Sequence, residues 1–287
     1  MPRLLHPLHL LFLALTYTLG VALADYLGAS ISISTLTFGL GGILLAHTGM
    51  NLLAEVFRPS NEPIIPGQPR AERVYLRDRL LVTAIGLLII AAGFAYLLHL
   101  SDRLNIAALI LLSLSLLIVL AYAVPPLNLA RRGFGGLLLA AHIGYVAPSL
   151  GFVLQTGDFH RLLPIIALPV TALALAYFLI LDFPSFADDL RYERLTLLTR
   201  LGWQRAIPLH HGLILFAFAL LALGPSLGIA FALLWPAFLT LPFAILQIIL
   251  LRNISLGARP LWRPLTSLAA ALLALTTYLL TFAFFLR

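Results

Sequence analysis

The chain is built from long apolar runs separated by short polar joints. Nine runs stand out, at 7–27, 33–54, 79–99, 104–124, 135–155, 162–182, 207–227, 229–250 and 264–285. A helix needs roughly 20 apolar residues to cross the hydrocarbon core of a bilayer. In lipid each backbone N–H and C=O must be satisfied within the protein, which makes such runs helices. The pattern predicts an all-α membrane protein of nine transmembrane helices, one domain over 1–287. The seventh and eighth runs are parted only by Gly224, Pro225 and Gly228. No small-residue cleavage site follows the first run, which reads as a span and not as a removed signal peptide.

The polar joints set an expected orientation. All 18 basic residues are arginine, and all but Arg103, Arg161 and Arg287 fall at the N-terminus or in the joints after runs two, four, six and eight. The positive-inside rule places those joints and the N-terminus in the cytoplasm and the C-terminus outside. The expected location is the cell's inner or plasma membrane. The net charge of +7 is accounted for by this topology and does not point to nucleic acid. Composition agrees: 61% of residues are hydrophobic, 10% are charged, and mean hydropathy is +1.03. With no cysteine there is neither a disulfide nor a thiol site. The acids are less easily explained. All but Asp25, Asp102 and Asp158 of the 11 share the arginine-rich side, and the positive-inside rule asks nothing of acids.

Two stretches concentrate them. After the second run comes HTGMNLLAEVFRPSNEPIIPGQ, and after the sixth comes LDFPSFADDLRYERLTLLTRLG. Glu55, Arg58 and Glu62 are spaced i, i+3, i+7, and so are Asp182, Ser185 and Asp189. That spacing puts three side chains on one helix face. His47 and Asn51 extend the first face back from Glu55 in steps of four. Four spans separate the two sets, so both emerge on one side of the membrane. Pro184 predicts a kink in the sixth helix. Ionisable residues at such helix ends indicate function. Facing carboxylates suit Mg²⁺, which takes oxygen ligands and is commonly shared with substrate phosphates. Nearby arginines suit phosphate oxygens. For Glu72, Asp78, Asp188 and Glu193 the simpler reading is solvated loop charge.

On these motifs the sequence resembles the UbiA-type intramembrane prenyltransferases, which have aspartate-rich motifs after helices two and six. Asp182, Ser185 and Asp189, followed by Thr196-Leu197 and Leu201-Gly202, are similar to the second motif. YAVPPLNLARRGFGG, from Tyr122 to Gly136, resembles the family's tyrosine and proline-pair stretch. AHTGMNLLAE is similar to the 1,4-dihydroxy-2-naphthoate polyprenyltransferase branch. The resemblance implies a Mg²⁺-dependent transfer of a polyprenyl group from its diphosphate to an aromatic or lipid acceptor, on the cytoplasmic face. It assigns Glu55, Asp182 and Asp189 as catalytic metal ligands. It places Asn51, Arg58, Glu62, Tyr122, Arg131, Arg132, Ser185, Asp188 and Arg194 around the substrate.

The departures are specific. Arg58 and Ser185 stand where the family has the central aspartate of each motif. Ala54 replaces an asparagine, Leu181 a polar residue and Asn128 an arginine. Four carboxylates then suit one metal ion better than two, and Arg58 becomes a candidate direct contact to diphosphate. A catalytically impaired relative that binds isoprenoid lipids or partners another membrane enzyme is the alternative. A transporter is disfavoured, because it calls for a midplane site and discontinuous helices. His142 reads as a histidine bonded across helices, and His210-His211 as structural. The polar stretch 58–79 reads as a lid or surface loop, with a short helix from Arg70.

Overall fold

The structure, a computed structural model, describes residues 6–59 and 69–286. Glu62 and the centre of the 58–79 stretch lie outside the described residues. Among the described residues nine helices are long and apolar enough to cross a membrane. They are α1 (Pro7–Tyr26), α2 (Ile33–Val56), α3 (Arg70–Leu100), α4 (Ile106–Ala123), α5 (Gly135–Thr156), α6 (Leu162–Arg191), α7 (Trp203–Leu227), α8 (Phe231–Ser255) and α9 (Trp262–Phe285).

The helix starts follow local chemistry. Ser32 caps α2 by accepting from the Thr35 amide, and Asn105 caps α4 by accepting from the Ala108 amide. Gly157, at φ +91°, ends α5. Hydropathy marked where helices are lipid-soluble, not where they stop. The sixth apolar run ends at residue 182, yet α6 continues to Arg191. At 30 residues it is about 45 Å long, against roughly 30 Å of hydrocarbon. Its last turns therefore carry the acids beyond the apolar run. Pro184 sits inside α6 without ending it, because side-chain contacts described below hold the turns beyond it. In the same way α3 begins at Arg70, nine residues before its apolar run, as one continuous helix.

The centre of the bundle is α5 and α6, with α1 beside them. Buried residues make up 78% of the apolar window of α5 and 72% of α6, but 11% of α3, which lies at the periphery. Close approach in the centre rests on glycine. A Cβ on Gly20 of α1 would collide with the backbone of Pro148 in α5, and one on Gly144 with the backbone of Thr171 in α6. With lipid outside as apolar as leucine, such backbone approach is what holds membrane helices together. At His142–Val146 a π-helical turn interrupts α5. It inserts one residue into the winding and changes which side chains face α2 and α4.

These contacts predict a contrast between two glycines. Gly20→Val forces α1 off α5 and should lower the melting temperature of the purified protein by several degrees or abolish its folded yield. Gly86→Val, where nothing lies within 4 Å of the new Cβ, should leave both unchanged.

Candidate active site

The first half of the site is the end of α2. His47, Asn51 and Glu55 share its inward face and are 0%, 4% and 8% exposed. One turn further, the Arg58 guanidinium pairs with Glu55 Oε1. Arg77 of α3 donates to the backbone carbonyls of Arg58 and Pro59. That contact ties α3 to the segment just past the end of α2.

The second half is the end of α6. Asp182, Ser185 and Asp189 share a face, as their spacing predicts. The Ser185 hydroxyl donates to Asp189 Oδ2 at 2.9 Å. The chain turns at Glu193, φ +52°, and Arg194 folds back. Its amide donates to the Asp189 carbonyl at 2.7 Å, and its Nη1 lies 3.2 Å from Asp189 Oδ1. Next comes a short helix, Leu197–Leu201, with a reciprocal Thr196/Thr199 cap. The Thr196 hydroxyl and the Leu198 amide donate to the Asp182 carboxylate. Thr196 was legible as part of a motif. Its role as a donor to Asp182 was not, since that needs the turn at Glu193.

The segment after α4 joins the halves. Tyr122, in the last turn of α4, lies within electrostatic reach of Glu55, Asp182 and Arg194. In the following loop Arg131 is surrounded by Arg194, Arg58, Glu55 and Asp189. Burial, then the Arg194 and Arg58 charges, lower its guanidinium to about 10, with Glu55 and Asp189 opposing. An isolated parallel bridge between Arg132 and Leu195 ties this loop to the one after α6. His6, just before α1, also faces the site. Burial holds it below the usual imidazole value, against Glu55 and with Arg58.

The expected residues therefore separate. Glu55, Arg58, Tyr122, Arg131, Asp182, Ser185, Asp189 and Arg194 meet around one region, and Asn51 is buried next to Glu55 along α2. Asp188 is exposed on α6. Arg132 is exposed, and its Nη2 donates to the Pro126 carbonyl at 2.6 Å. Glu62 lies outside the described residues. The apolar run of α2 also lines a cavity of about 300 Å³ with α3, α4 and α5, walled by Phe38, Ile43, Leu88, Leu98, Leu112 and Leu150.

A resident metal is a poor match to these side chains. Among the described residues no group of three or more His, Asp or Glu side chains is placed to hold a metal ion. One buried carboxylate oxygen, Glu55 Oε2, has no hydrogen-bond partner, while Asp189 Oδ1 faces the Arg194 guanidinium. Magnesium is usually held by one or two carboxylates together with substrate phosphates and water. Glu55 Oε2 is the oxygen left for a cation that arrives with a phosphorylated substrate.

The sequence model of the UbiA prenyltransferase family matches residues 10–262. The chain belongs to the UbiA prenyltransferase family. Solved structures share the fold. A UbiA homologue from Archaeoglobus fulgidus bound to Cd²⁺ superposes with a TM-score of 0.63 at 15% identity, covering 97% of this chain and 98% of that one. A UbiA homologue from Archaeoglobus fulgidus bound to DMAPP and Mg²⁺ gives 0.61 at 14% identity, with the same coverage. A digeranylgeranylglyceryl phosphate synthase gives 0.59 at 17% identity, covering 100% and 98%. No curated protein matches the sequence at a significant level. Within the UbiA fold, the acids of this chain come with arginine partners of their own, Arg58 on Glu55 and Arg194 on Asp189.

The Arg194 pair carries a stability prediction. Asp189 is 1% exposed, and removing one partner of a buried pair costs about 3–5 kcal/mol. Arg194 is partly open to solvent, which puts the expected loss at the lower end. Arg194→Leu should lower the melting temperature, and adding Asp189→Asn should restore most of it, a coupling read from the double-mutant cycle. Additive losses would show the pair to be energetically idle.

Proposed function

We propose that this chain transfers a polyprenyl group from a polyprenyl diphosphate to an aromatic quinone precursor or lipid acceptor within the membrane. One observation carries the reading. The acids of α2 and α6 converge with Arg58, Arg131 and Arg194 at the end of an otherwise apolar bundle. That is the layout required by a substrate with an anionic head and a hydrocarbon tail. The family's membership in prenyl transfer, and the DMAPP and Mg²⁺ named for a homologue of the same fold, support it. The orientation expected from the arginines puts this end at the cytoplasmic face of the inner or plasma membrane.

The roles follow from charge. Glu55, Asp182 and Asp189 are balanced in the resting site by Arg58, Arg131 and Arg194. A diphosphate adds several negative charges to that balance, so a further cation must come with it. Magnesium, when bound, would neutralise the diphosphate as a leaving group, held by Glu55 Oε2 and the Asp189 carboxylate with Asp182 beside them. Arg131, crowded by two like charges, is relieved when an anion enters. Arg58 sits where the family has a carboxylate and offers a fixed cation to the diphosphate. Asn51 and Tyr122 face the same region and orient the allylic carbon. The hydrocarbon wall excludes water, which would otherwise capture the electron-poor carbon. Fixed charges aimed at a developing negative charge in a dry site carry the rate.

A second reading has its own observation. Each acid already has a protein partner, and among the described residues no three gather as a metal cage. A chain of this kind could bind isoprenoid diphosphates or lipids without turning them over.

Diphosphate release separates the two. In nanodiscs, with prenyl diphosphates of several lengths and a panel of aromatic and lipid acceptors, release should require Mg²⁺ and should fall to background in Asp182→Asn. Saturable binding with no release across the panel would leave the second reading. Arg58→Ala tests the substituted cation. Loss of a charged hydrogen bond of about 1.5–3 kcal/mol should lower kcat/KM roughly 10- to 100-fold. Unchanged turnover would reduce Arg58 to a partner of Glu55.

A further inference from the structure

Beneath the acids lies a layer of histidines that the roles above leave unused. His47 Nδ1 lies 3.2 Å from His142 Nδ1, with the two rings stacked 7° from parallel. His142 Nε2 lies 2.9 Å from Ser115 Oγ. His9 of α1 meets the His47 ring edge-on at 6.1 Å between centroids, and His6 stacks on His9 at 4.9 Å. Four helices contribute: α1, α2, α4 and α5. His47 and His142 are 0% exposed, Ser115 4% and His9 8%. Three features argue that this is more than packing.

First, the layer is incompletely satisfied. His47 Nε2 and His9 Nδ1 are buried with no hydrogen-bond partner. A buried nitrogen left unpaired is costly. Second, His142 is delivered to His47 by the π-turn His142–Val146 in α5. Such turns are costly to keep and recur at functional sites. Third, depth is right. His47 lies two turns below Glu55 on the same inward face of α2, roughly 12 Å along the axis. That separation accommodates a diphosphate, the allylic carbon and one aromatic ring.

The hydrogen bonds also define a chemistry. A hydrogen bond between the two Nδ1 atoms takes one proton, which either ring can carry. When His47 carries it, His47 Nε2 is a bare acceptor, and His142 Nε2–H donates to Ser115 Oγ. When His142 carries it, Nε2 of His47 is protonated, and the Ser115 hydroxyl donates to His142. Each neutral arrangement keeps the His47–His142 and His142–Ser115 bonds, so the chain can take a proton at His47 Nε2 and share the charge over two rings. A shared charge is easier to hold in a buried site than one on a single ring.

We propose that His47, positioned by His142 and Ser115, is the base that takes the hydroxyl proton of a hydroxyaromatic acceptor. This rests on the transferase reading and names its acceptor class. The steps balance. The allylic C–O bond breaks and its electron pair leaves on diphosphate. The acceptor ring carbon bonds the allylic carbon as the hydroxyl proton passes to His47 Nε2. The dienone so formed loses its ring-carbon proton, and its oxygen takes a proton back from His47. One proton and one diphosphate are released. His9 Nδ1 is a second contact for the acceptor, and Phe178, 5.1 Å from the His9 ring, adds an aromatic wall. His47 touches the reacting group, whereas His142 and Ser115 act through it.

The test uses the full chain in nanodiscs with geranylgeranyl diphosphate and Mg²⁺. The acceptors are 4-hydroxybenzoate and 1,4-dihydroxy-2-naphthoate, each with ring-fluorinated analogues whose hydroxyls ionise more readily. His47→Gln should lower transfer about 10²- to 10⁴-fold, the usual scale of general-base catalysis, while prenyl diphosphate binding stays unchanged. The deficit should shrink as the acceptor hydroxyl becomes more acidic, because an ionised hydroxyl needs no base. His142→Asn should show a smaller deficit with the same trend, and it carries the test if His47→Gln does not fold. A deficit equal for all acceptors, or none, overturns the proposal. Transfer to aliphatic lipid alcohols alone overturns it and leaves the transferase reading standing. An inactive wild-type chain removes both.

Discussion

Charge buried in an apolar bundle must be balanced where it sits, and the rest of the site depends on how that is done here. Glu55, Asp182 and Asp189 lie at the ends of helices whose other turns are lipid-soluble. A carboxylate in such surroundings is tolerated only with cations or several donors around it. Glu55 has Arg58 one turn away. Asp189 has Arg194, Ser185 and a nearly buried pocket. Asp182 has an amide and a hydroxyl from the segment that follows α6. Those partners are also what carry α6 past Pro184, and what fold residues 192–201 back over the site. Local structure, tertiary packing and the electrostatics of the site therefore have one cause.

The same constraint accounts for two polar residues beside the acids. Arg58 puts a positive charge at the end of α2, against Glu55. Ser185 adds no charge at the end of α6 and supplies a donor to Asp189. Both reduce the need for a resident cation. The site is close to balance as it stands, and on the proposed reading any metal would be demanded by the diphosphate and not by the protein. A site with unpaired carboxylates would instead call for metal to be folded at all.

Much of this was legible in the chain. Nine apolar runs gave nine helices because lipid imposes the same requirement on every backbone group. The i, i+3, i+7 spacing put Asp182, Ser185 and Asp189 on one face because helical geometry allows nothing else. Helix ends were partly legible. A helix from Arg70 was expected, though as a short one and not as the start of α3. The extension of α6 to Arg191 carries no hydropathy signal. The partners of Asp182 were hidden because they depend on a left-handed turn at Glu193 and on a five-residue helix, neither of which has periodicity to read. Arg132 looked equivalent to Arg131 in sequence, whereas Asp188 already fell off the i, i+3, i+7 face that holds Asp189. The fold separates each pair by a single step of rotation, leaving one member exposed. His142 was legible as a cross-helix hydrogen-bonding residue, and it bonds His47 and Ser115. That His47 and His142 stack required the π-turn, which a one-residue irregularity in an apolar run does not announce.

The two polar layers divide the work by depth. At the end of the bundle the arginines and acids make a region suited to multivalent anions. Two turns deeper the imidazoles and Ser115 make a hydrogen-bonded layer. On the proposed reading an anion head and a proton-bearing acceptor would be kept apart along α2, with the allylic carbon between them. Their order is fixed by one helix face, His47, Asn51 and Glu55, in steps of four. Shifting either layer by a residue would turn it a quarter of a circle away from the other, so the spacing on α2 joins the two chemistries in a single register.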